Sequence, residues 1–370
     1  MRMVRILSAT TVLAAAIGSA QAGGFSRGTA DTDILYEDGN FNMRAGAIIV
    51  VPTQKFSKST NPALVGTDYL DTYVIPSGAV KFKVTENLSC AGTYTDVYGA
   101  ASTYESPFGP APSLKLSEKF TVTEFGATCA VFMNMGKGRL AVLGGAFLEK
   151  FNYDFVGGAG ALHVDLTSSA VGWRAGLAYE IPDIAFRTEL MYRSGTSHDA
   201  TGSGSLMVAP GVFVPVPAAG DGELPQSVEL KVQSGIAPGW LAFGSVRWTD
   251  WSVNETLNLN VTGVGTSQNQ YYWRDGWTVT GGVGHAFTDN VSGLVSLQWD
   301  RGVSTGYDFR TDKWLLAAGV SVKDSLGGEL RLGGALSYLA SAEATKGNEI
   351  GNAVDSGWAG ILSANYKVKW

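Results

Sequence analysis

The sequence predicts an all-β protein, a transmembrane antiparallel β-barrel of about fourteen strands behind a short N-terminal segment. The first observation lies at the carboxyl end. Trp358, Gly360, Leu362, Ala364, Tyr366, Val368 and Trp370 share one strand face, and Ala359, Ile361, Ser363, Asn365, Lys367 and Lys369 share the other. A greasy face and a polar face at a period of two suit a strand with lipid on one side and a polar lumen on the other. The second observation is composition. Hydrophobic residues make up 45% of the chain, yet beyond residue 22 no uninterrupted apolar stretch approaches the roughly 20 residues of a membrane helix. Gly at 48, Trp at 10 and Tyr at 14, with only 16% charged residues, suit many strands between aromatic belts. The third is a regular exchange of short and long connections. A soluble sandwich could show the same strand period, but not this combination.

Taken in order, residues 1–22 read as an export signal. Arg2 and Arg5 precede the apolar run from Ile6 to Ala20, and Ala20-Gln21-Ala22 is a small-x-small cleavage site, which puts the mature start at Gly23. Residues 23–41 form a short arm or hatch, and 42–370 the barrel, one closed sheet. Short turns are expected at Glu86-Asn87, Gly136-Lys137-Gly138, Pro182-Asp183, Ala237-Pro238-Gly239, Thr288-Asp289-Asn290 and Lys323 to Gly328. Longer connections are expected near 54–71, 99–118, 154–168, 197–225, 259–271, 303–311 and 341–355. Barrels of this kind keep short turns in the periplasm and long loops outside, so the expected location is the bacterial outer membrane. A last strand ending on Trp370 resembles the signal read by the barrel-assembly machinery, an expected partner during biogenesis. The expected state is a monomer in contact with outer-membrane lipid.

Individual strands show their two faces. Val228, Leu230 and Val232 oppose Glu229, Lys231 and Gln233, and Ile184, Phe186, Leu190 and Tyr192 oppose Arg187, Glu189 and Arg193. By parity Arg187, Arg193, Lys231, Arg247 and Arg274 point into the lumen, as do Glu189, Glu229 and Asp300. A guanidinium offers paired donors to a carboxylate, which makes these five cations candidate head-group contacts. Mutual neutralisation across neighbouring strands is the competing expectation.

Cys90 and Cys129, the only cysteines, fall toward the periplasmic ends of the third and fourth strands, where an oxidising compartment favours a disulfide. Weak alternation leaves their face open. His163, His198 and His285 are scattered, the first two in expected loops, so no metal, cofactor or catalytic group is expected. The formal charge of −6, with no basic run, excludes nucleic acid as a partner.

Two expected outer loops are unusually apolar. One carries Tyr104, Pro107, Phe108, Pro110, Pro112, Leu114 and Leu116, the other Leu206, Met207, Val208, Val212, Phe213, Val214 and Val216. Apolar surface on loops marks ligand sites, and Phe108, Leu114, Leu116, Val212 and Phe213 are the candidate contacts. Packing of the two stretches as a cap over the barrel is the alternative.

The order Leu224-Pro225-Gln226-Ser227, Trp248-Thr249-Asp250-Trp251-Ser252 and Trp273-Arg274-Asp275-Gly276-Trp277 resembles the FadL-type long-chain fatty acid transporters of the outer membrane. The resemblance is most specific over residues 224–302. It implies a fourteen-stranded barrel with an N-terminal hatch, an inward kink in the third strand, here at Tyr98-Gly99, and a greasy outer groove that first catches the acyl chain. The chain departs from that pattern at Glu37 to Asn42, which lacks the Asn-Pro-Ala element of the hatch. Asn61-Pro62-Ala63-Leu64 falls after the first strand and reads as a turn. The arm is therefore expected to be short and nearly free of helix, with plugging left open.

The functional expectation is a passive outer-membrane transporter for long-chain fatty acids or similar hydrophobic compounds. They would be captured by the apolar outer loops, met by a lumen cation and released through the barrel or its wall. A water-filled porin for small polar solutes is the alternative.

Overall fold

The computed structural model describes residues 23–370 apart from Pro112 and Leu326, and the expected leader lies outside the described residues. Its sheet is a closed antiparallel barrel of fourteen strands. The first six are β1 (Phe41–Pro52), β2 (Tyr73–Thr85), β3 (Leu88–Phe108), β4 (Lys115–Met135), β5 (Gly138–Gly157) and β6 (Leu162–Ile181). The next four are each interrupted part-way. They are β7 (Phe186–Arg193, then Thr196–Ala209), β8 (Val212–Leu224, then Ser227–Ala237), β9 (Trp240–Thr249, then Thr256–Val261) and β10 (Gly265–Gln270, then Gly276–Ala286). The circuit ends with β11 (Val291–Asp300), β12 (Lys313–Lys323), β13 (Gly328–Leu339) and β14 (Gly357–Lys369). β14 pairs with β13 on one side and with β1 on the other, from Asn42↔Lys369 to Pro52↔Ala359. Closure removes the unpaired edge that a bilayer does not tolerate.

Outward apolar side chains such as Val171, Leu177, Leu316, Leu332 and Leu362 stay exposed and form the lipid-facing belt. An aromatic row marks its outer rim. Trp248 lies opposite Trp277, Trp299 opposite Trp314, and Tyr338 opposite both Trp314 and Trp358. Trp173 and Tyr192, with ring centres 4.9 Å apart, extend the row. At the periplasmic rim Phe41 packs against Phe82 at 5.1 Å and Trp370 at 5.2 Å. Rings with one apolar and one wet side seat at lipid head groups, so these rows bound the membrane.

The outer connections depart from expectation. Those near 54–71, 303–311 and 341–355 are largely irregular, but those near 99–118, 154–168, 197–225 and 259–271 are mostly strand. The polar, glycine-rich sequence there reads as loop, yet neighbouring strands continue past the aromatic rim and pair as hairpins, with Asp154 opposite Asp165, Ser203 opposite Pro217 and Asn260 opposite Thr266. Pairing satisfies the backbone, which composition cannot report. The irregular connections fold inward as a cap whose core holds Phe56, Leu64, Tyr69, Tyr104, Phe108 and Phe309. Within it Pro62–Leu64 is a 3-10 turn, with the Asn61 side chain accepting from the Ala63 N–H at 3.2 Å.

The arm lies inside the barrel. Its one helical element among the described residues is a 3-10 turn, Thr32–Tyr36, in which every residue is buried. Ile34 and Leu35 pack on wall residues Ala79, Ala91, Ala130, Leu143 and Ala178. The small wall side chains leave the room this segment occupies.

Candidate ligand site in the lumen

Pairing of β2 with β3 runs only as far as Ser77↔Thr95. Above that point the register of β3 against β4 slips between Asp96 and Tyr98, and β3 parts from β2. The arm fills the opening. The Arg27 N–H donates to the Val97 carbonyl at 2.9 Å, the Gly28 N–H to the Asp96 carbonyl at 2.8 Å, and the Gly99 N–H to the Phe25 carbonyl at 2.9 Å. A Cβ on Gly99 would come within 2.6 Å of the Arg27 guanidinium carbon and 2.8 Å of the Phe120 carbonyl oxygen, so the close approach requires glycine. The Tyr98 hydroxyl donates to the Pro225 carbonyl at 3.3 Å and accepts from Arg193 at 3.1 Å.

Phe25 anchors this stretch. Its ring centre lies 4.7 Å from Trp273, 4.8 Å from Phe120, 5.5 Å from Tyr271 and 6.1 Å from Trp251. The interruptions of β9 and β10 make that cluster possible. In regular strands Trp248 and Trp277 remain in the outer aromatic row, while the irregular segments turn Trp251 and Trp273 inward to 0% and 4% exposure. Trp248 donates to the Asp275 carboxylate at 2.9 Å, Gln226 donates to Asp250 at 3.0 Å, and Trp273 donates to Asp308 at 2.9 Å. The three sequence motifs are therefore one joint. At its edge the Gly23 N–H donates to the buried Asp300 carboxylate at 2.8 Å.

Above Phe25 opens a pocket walled by Phe120, Phe151, Tyr153, Leu166 and Leu257, with Asn254, Asn258 and His198 among its polar groups. The rings of Phe120 and Phe151 stack at 5.8 Å, and those of Phe151 and Tyr153 at 6.4 Å. Such a lining takes apolar and planar groups, with few polar atoms to fix orientation. On the periplasmic side of the arm, a cavity of about 420 Å³ is bordered by Asp33, Tyr36, Arg187, Gln233 and the turn residues Asn290 and Asp324.

Four of the five expected lumen cations do face inward, and each already has a carboxylate. Arg187 reaches Asp33 of the arm at 3.3 Å, and Lys231 reaches Asp33 at 3.5 Å and Glu189 at 3.6 Å. Arg247 pairs with Glu229 at 2.7 Å and donates to the Thr29 hydroxyl of the arm at 3.1 Å. Arg193 pairs with Glu124 at 3.0 Å and with Glu149. The Tyr36 hydroxyl donates to Glu189 at 2.6 Å. Much of the lumen charge thus holds the arm. Arg274 is the exception: it is exposed, and its Nε donates to the Gly302 carbonyl at 3.0 Å. Parity fails there because residues 271–275 are not strand and Tyr272 takes a positive φ of 43°.

This geometry coincides with a match over residues 36–292 to the family of outer membrane protein transport proteins described as OMPP1/FadL/TodX. The chain belongs to that family. A long-chain fatty acid transport protein of Salmonella typhi is 25% identical over 252 residues, a match that covers 56% of each protein. The chain thus spans little more than half the length of that relative. In fold it resembles a Pseudomonas aeruginosa FadL homologue, with a TM-score of 0.73 at 13% identity over 98% of this chain and 99% of that one. The Pseudomonas putida toluene transporter TodX gives 0.65 at 12% identity over 97% of each chain. The CymD monoaromatic hydrocarbon channel gives 0.65 at 13% identity over 100% of this chain and 99% of that one. The protein is an outer-membrane barrel.

In this family member the apolar outer stretches are not two facing loops. Phe108 is 1% exposed inside the cap, and Leu114 sits in a tight turn with its N–H donating to the Pro110 carbonyl at 3.2 Å. Leu116 borders Gly160 on one side of the β5–β6 tip, and the Met207 N–H donates to the Ala161 carbonyl at 2.8 Å on the other. The β5–β6 hairpin therefore separates the two stretches and removes a shared groove. Val212 and Phe213 stand 51% and 43% exposed at the β7–β8 tip.

His163 and His198 lie in strands, not loops. His198 is buried between the Ser168 hydroxyl at 2.8 Å and the Glu149 carboxylate at 3.3 Å. Cys90 lies directly opposite Cys129, and the structure joins them by a disulfide. Their neighbours Ser89, Ala91, Thr128 and Ala130 are buried inward, which puts the disulfide on the outer face.

Sequence reasoning missed Phe25, Trp251 and Trp273 as lumen residues. For Trp251 and Trp273 the signal is present in the W-T-D-W-S and W-R-D-G-W runs, whose side chains can be placed only once those segments are known to leave the sheet; Phe25, in the arm, has no such signal.

Proposed function

We propose that this protein is a passive channel for hydrophobic compounds, taking them from outside the cell through the aromatic pocket above Phe25 and past the arm. The observation that carries the reading is the aromatic pocket seated directly on Phe25 of the arm. Burial of ligand surface in it is worth roughly 25 cal/mol per Å² of apolar area. The arm beneath is held by Phe25 and by separate polar contacts along its length, so a ligand that competes for the aromatic cluster weakens one anchor of the arm at a time. Long-chain fatty acids and small aromatic hydrocarbons, the compounds named for its relatives, both match a lining of stacked rings and aliphatic side chains. Exit would follow the parting of β2 from β3, or the cavity on the periplasmic side of the arm. The ligand's own gradient supplies the drive.

The test measures uptake of labelled oleate and of toluene by cells carrying the protein, together with planar-bilayer current from the purified chain. Uptake of either compound with little steady ion current supports the reading. A large steady current with uptake of neither compound identifies a water-filled pore instead.

A further inference from the structure

The polar side chains around the pocket above Phe25 are largely engaged with one another. His198 has a partner at each ring nitrogen, the Ser168 hydroxyl at 2.8 Å and the Glu149 carboxylate at 3.3 Å. The Asn258 amide donates to Asp221 at 2.9 Å, and its side-chain oxygen accepts from Gln268 at 3.0 Å. The Tyr153 hydroxyl and the Asn269 amide both donate to Glu118, each at 2.9 Å. Asn254 differs. It lines the pocket at 2% exposure, and its Nδ2 has no hydrogen-bond partner. The backbone that carries it is fixed on both sides: the Asn254 N–H donates to the Trp251 carbonyl at 3.1 Å, and the next carbonyl, of Glu255, accepts from the Tyr271 N–H at 2.8 Å.

A buried donor that has lost water without gaining an acceptor is unfavourable, and a ligand that brings an acceptor restores the bond. The charge around the pocket decides what kind of acceptor. No lysine or arginine lines it among the described residues, and the charged side chains on its border are the carboxylates of Asp221 and Glu223. An anion entering this space would be desolvated without a counter-charge. A neutral carbonyl oxygen meets the amide at no such cost, while the rings of Phe120 and Phe151 receive a flat apolar group.

We propose that this pocket binds neutral aromatic compounds that carry a carbonyl oxygen, with the Asn254 amide as the donor that fixes their orientation. The proposal rests on the reading of the protein as a channel for hydrophobic compounds. It adds a specificity-determining residue and a ligand class to that reading.

The experiment measures equilibrium binding of acetophenone and of α-methylstyrene, which has the same flat shape with =CH2 in place of the carbonyl oxygen, to the purified full chain in one detergent. The variants are Asn254→Leu and Phe151→Ala, with heat-modifiable gel migration to confirm folding. Asn254→Leu should weaken acetophenone about tenfold and leave α-methylstyrene unchanged or tighter, whereas Phe151→Ala should weaken both. Equal changes for the two probes in Asn254→Leu, or none, overturn the donor role and leave the channel reading standing. Unchanged binding of both in Phe151→Ala would place the probes elsewhere and overturn the site. Benzoate should not displace acetophenone at equal concentration; displacement would overturn the selection of neutral ligands. A wild type that binds neither neutral probe overturns the channel reading, and the inference falls with it. If Asn254→Leu fails to assemble, Asn254→Ala, which removes the same donor, decides the question.

Discussion

Replacing Phe25 with Ala should release the arm without unfolding the barrel. Phe25 is 5% exposed and contacts four aromatic rings, so its truncation removes the apolar anchor where the arm crosses the lumen. Core Phe to Ala changes cost about 3–5 kcal/mol. Here the reaction that bears the loss is local detachment, because the barrel strands keep all their ladder pairings. A change of that size raises the ratio of detached to docked arm by about a hundredfold to several thousandfold.

Hydrogen exchange reads this directly. The amides of Arg27 and Gly28, bonded to β3 in the wild type, should lose protection in Phe25→Ala, while the amides of β12 and β13 keep theirs. Bilayer current should rise over the same comparison. Phe56→Ala is the control, since Phe56 is 1% exposed but belongs to the cap and should leave the arm protected. Unchanged protection at Arg27 and Gly28 would refute the argument that Phe25 holds the arm.

Three further outcomes follow from the structure. Gly99→Ala puts a Cβ 2.8 Å from the Phe120 carbonyl and 2.6 Å from the Arg27 guanidinium carbon, so arm protection should fall while heat-modifiable migration persists. Burial, with Asp308 and Glu118 nearby, pushes Glu349 up to about 7. The folded cap then binds more protons than the unfolded one from about pH 4.5 to 7, so its stability is greatest below that window and falls as pH rises through it. Proteolysis of the outer cap should accelerate between about pH 5 and pH 8, and Glu349→Gln should flatten that dependence. Deleting Trp370 removes its ring contact with Phe41 and its backbone bonds to Asn40 and Phe41, so less protein should reach the outer-membrane fraction.

Much of this architecture was legible because a barrel strand advertises its two solvents residue by residue. The face assignments for β8 (Val228 out, Lys231 in) and β13 (Leu332 out, Arg331 in) hold, since lipid and lumen impose the period of two on each strand separately. The short periplasmic turns were legible for the same reason: each interrupts a periodic run. What failed was any inference requiring a strand to stop. Counting through residues 271–275, which leave the sheet, places Arg274 inward, and the outer hairpins read as loops because neither of their faces meets lipid.

The lumen charges show a second limit, of a different kind. Parity says which side of the wall a cation occupies but not whether it is free, because freedom depends on what else fills the lumen. Arg187, Lys231 and Arg247 point inward as expected, and the arm supplies Asp33 and Thr29 to them. Arg27 comes from the arm itself, in a stretch with no strand period to mark it, and lies against Tyr73 where β2 and β3 part. A cation that already anchors the arm can receive a ligand only by giving up its partner on the arm.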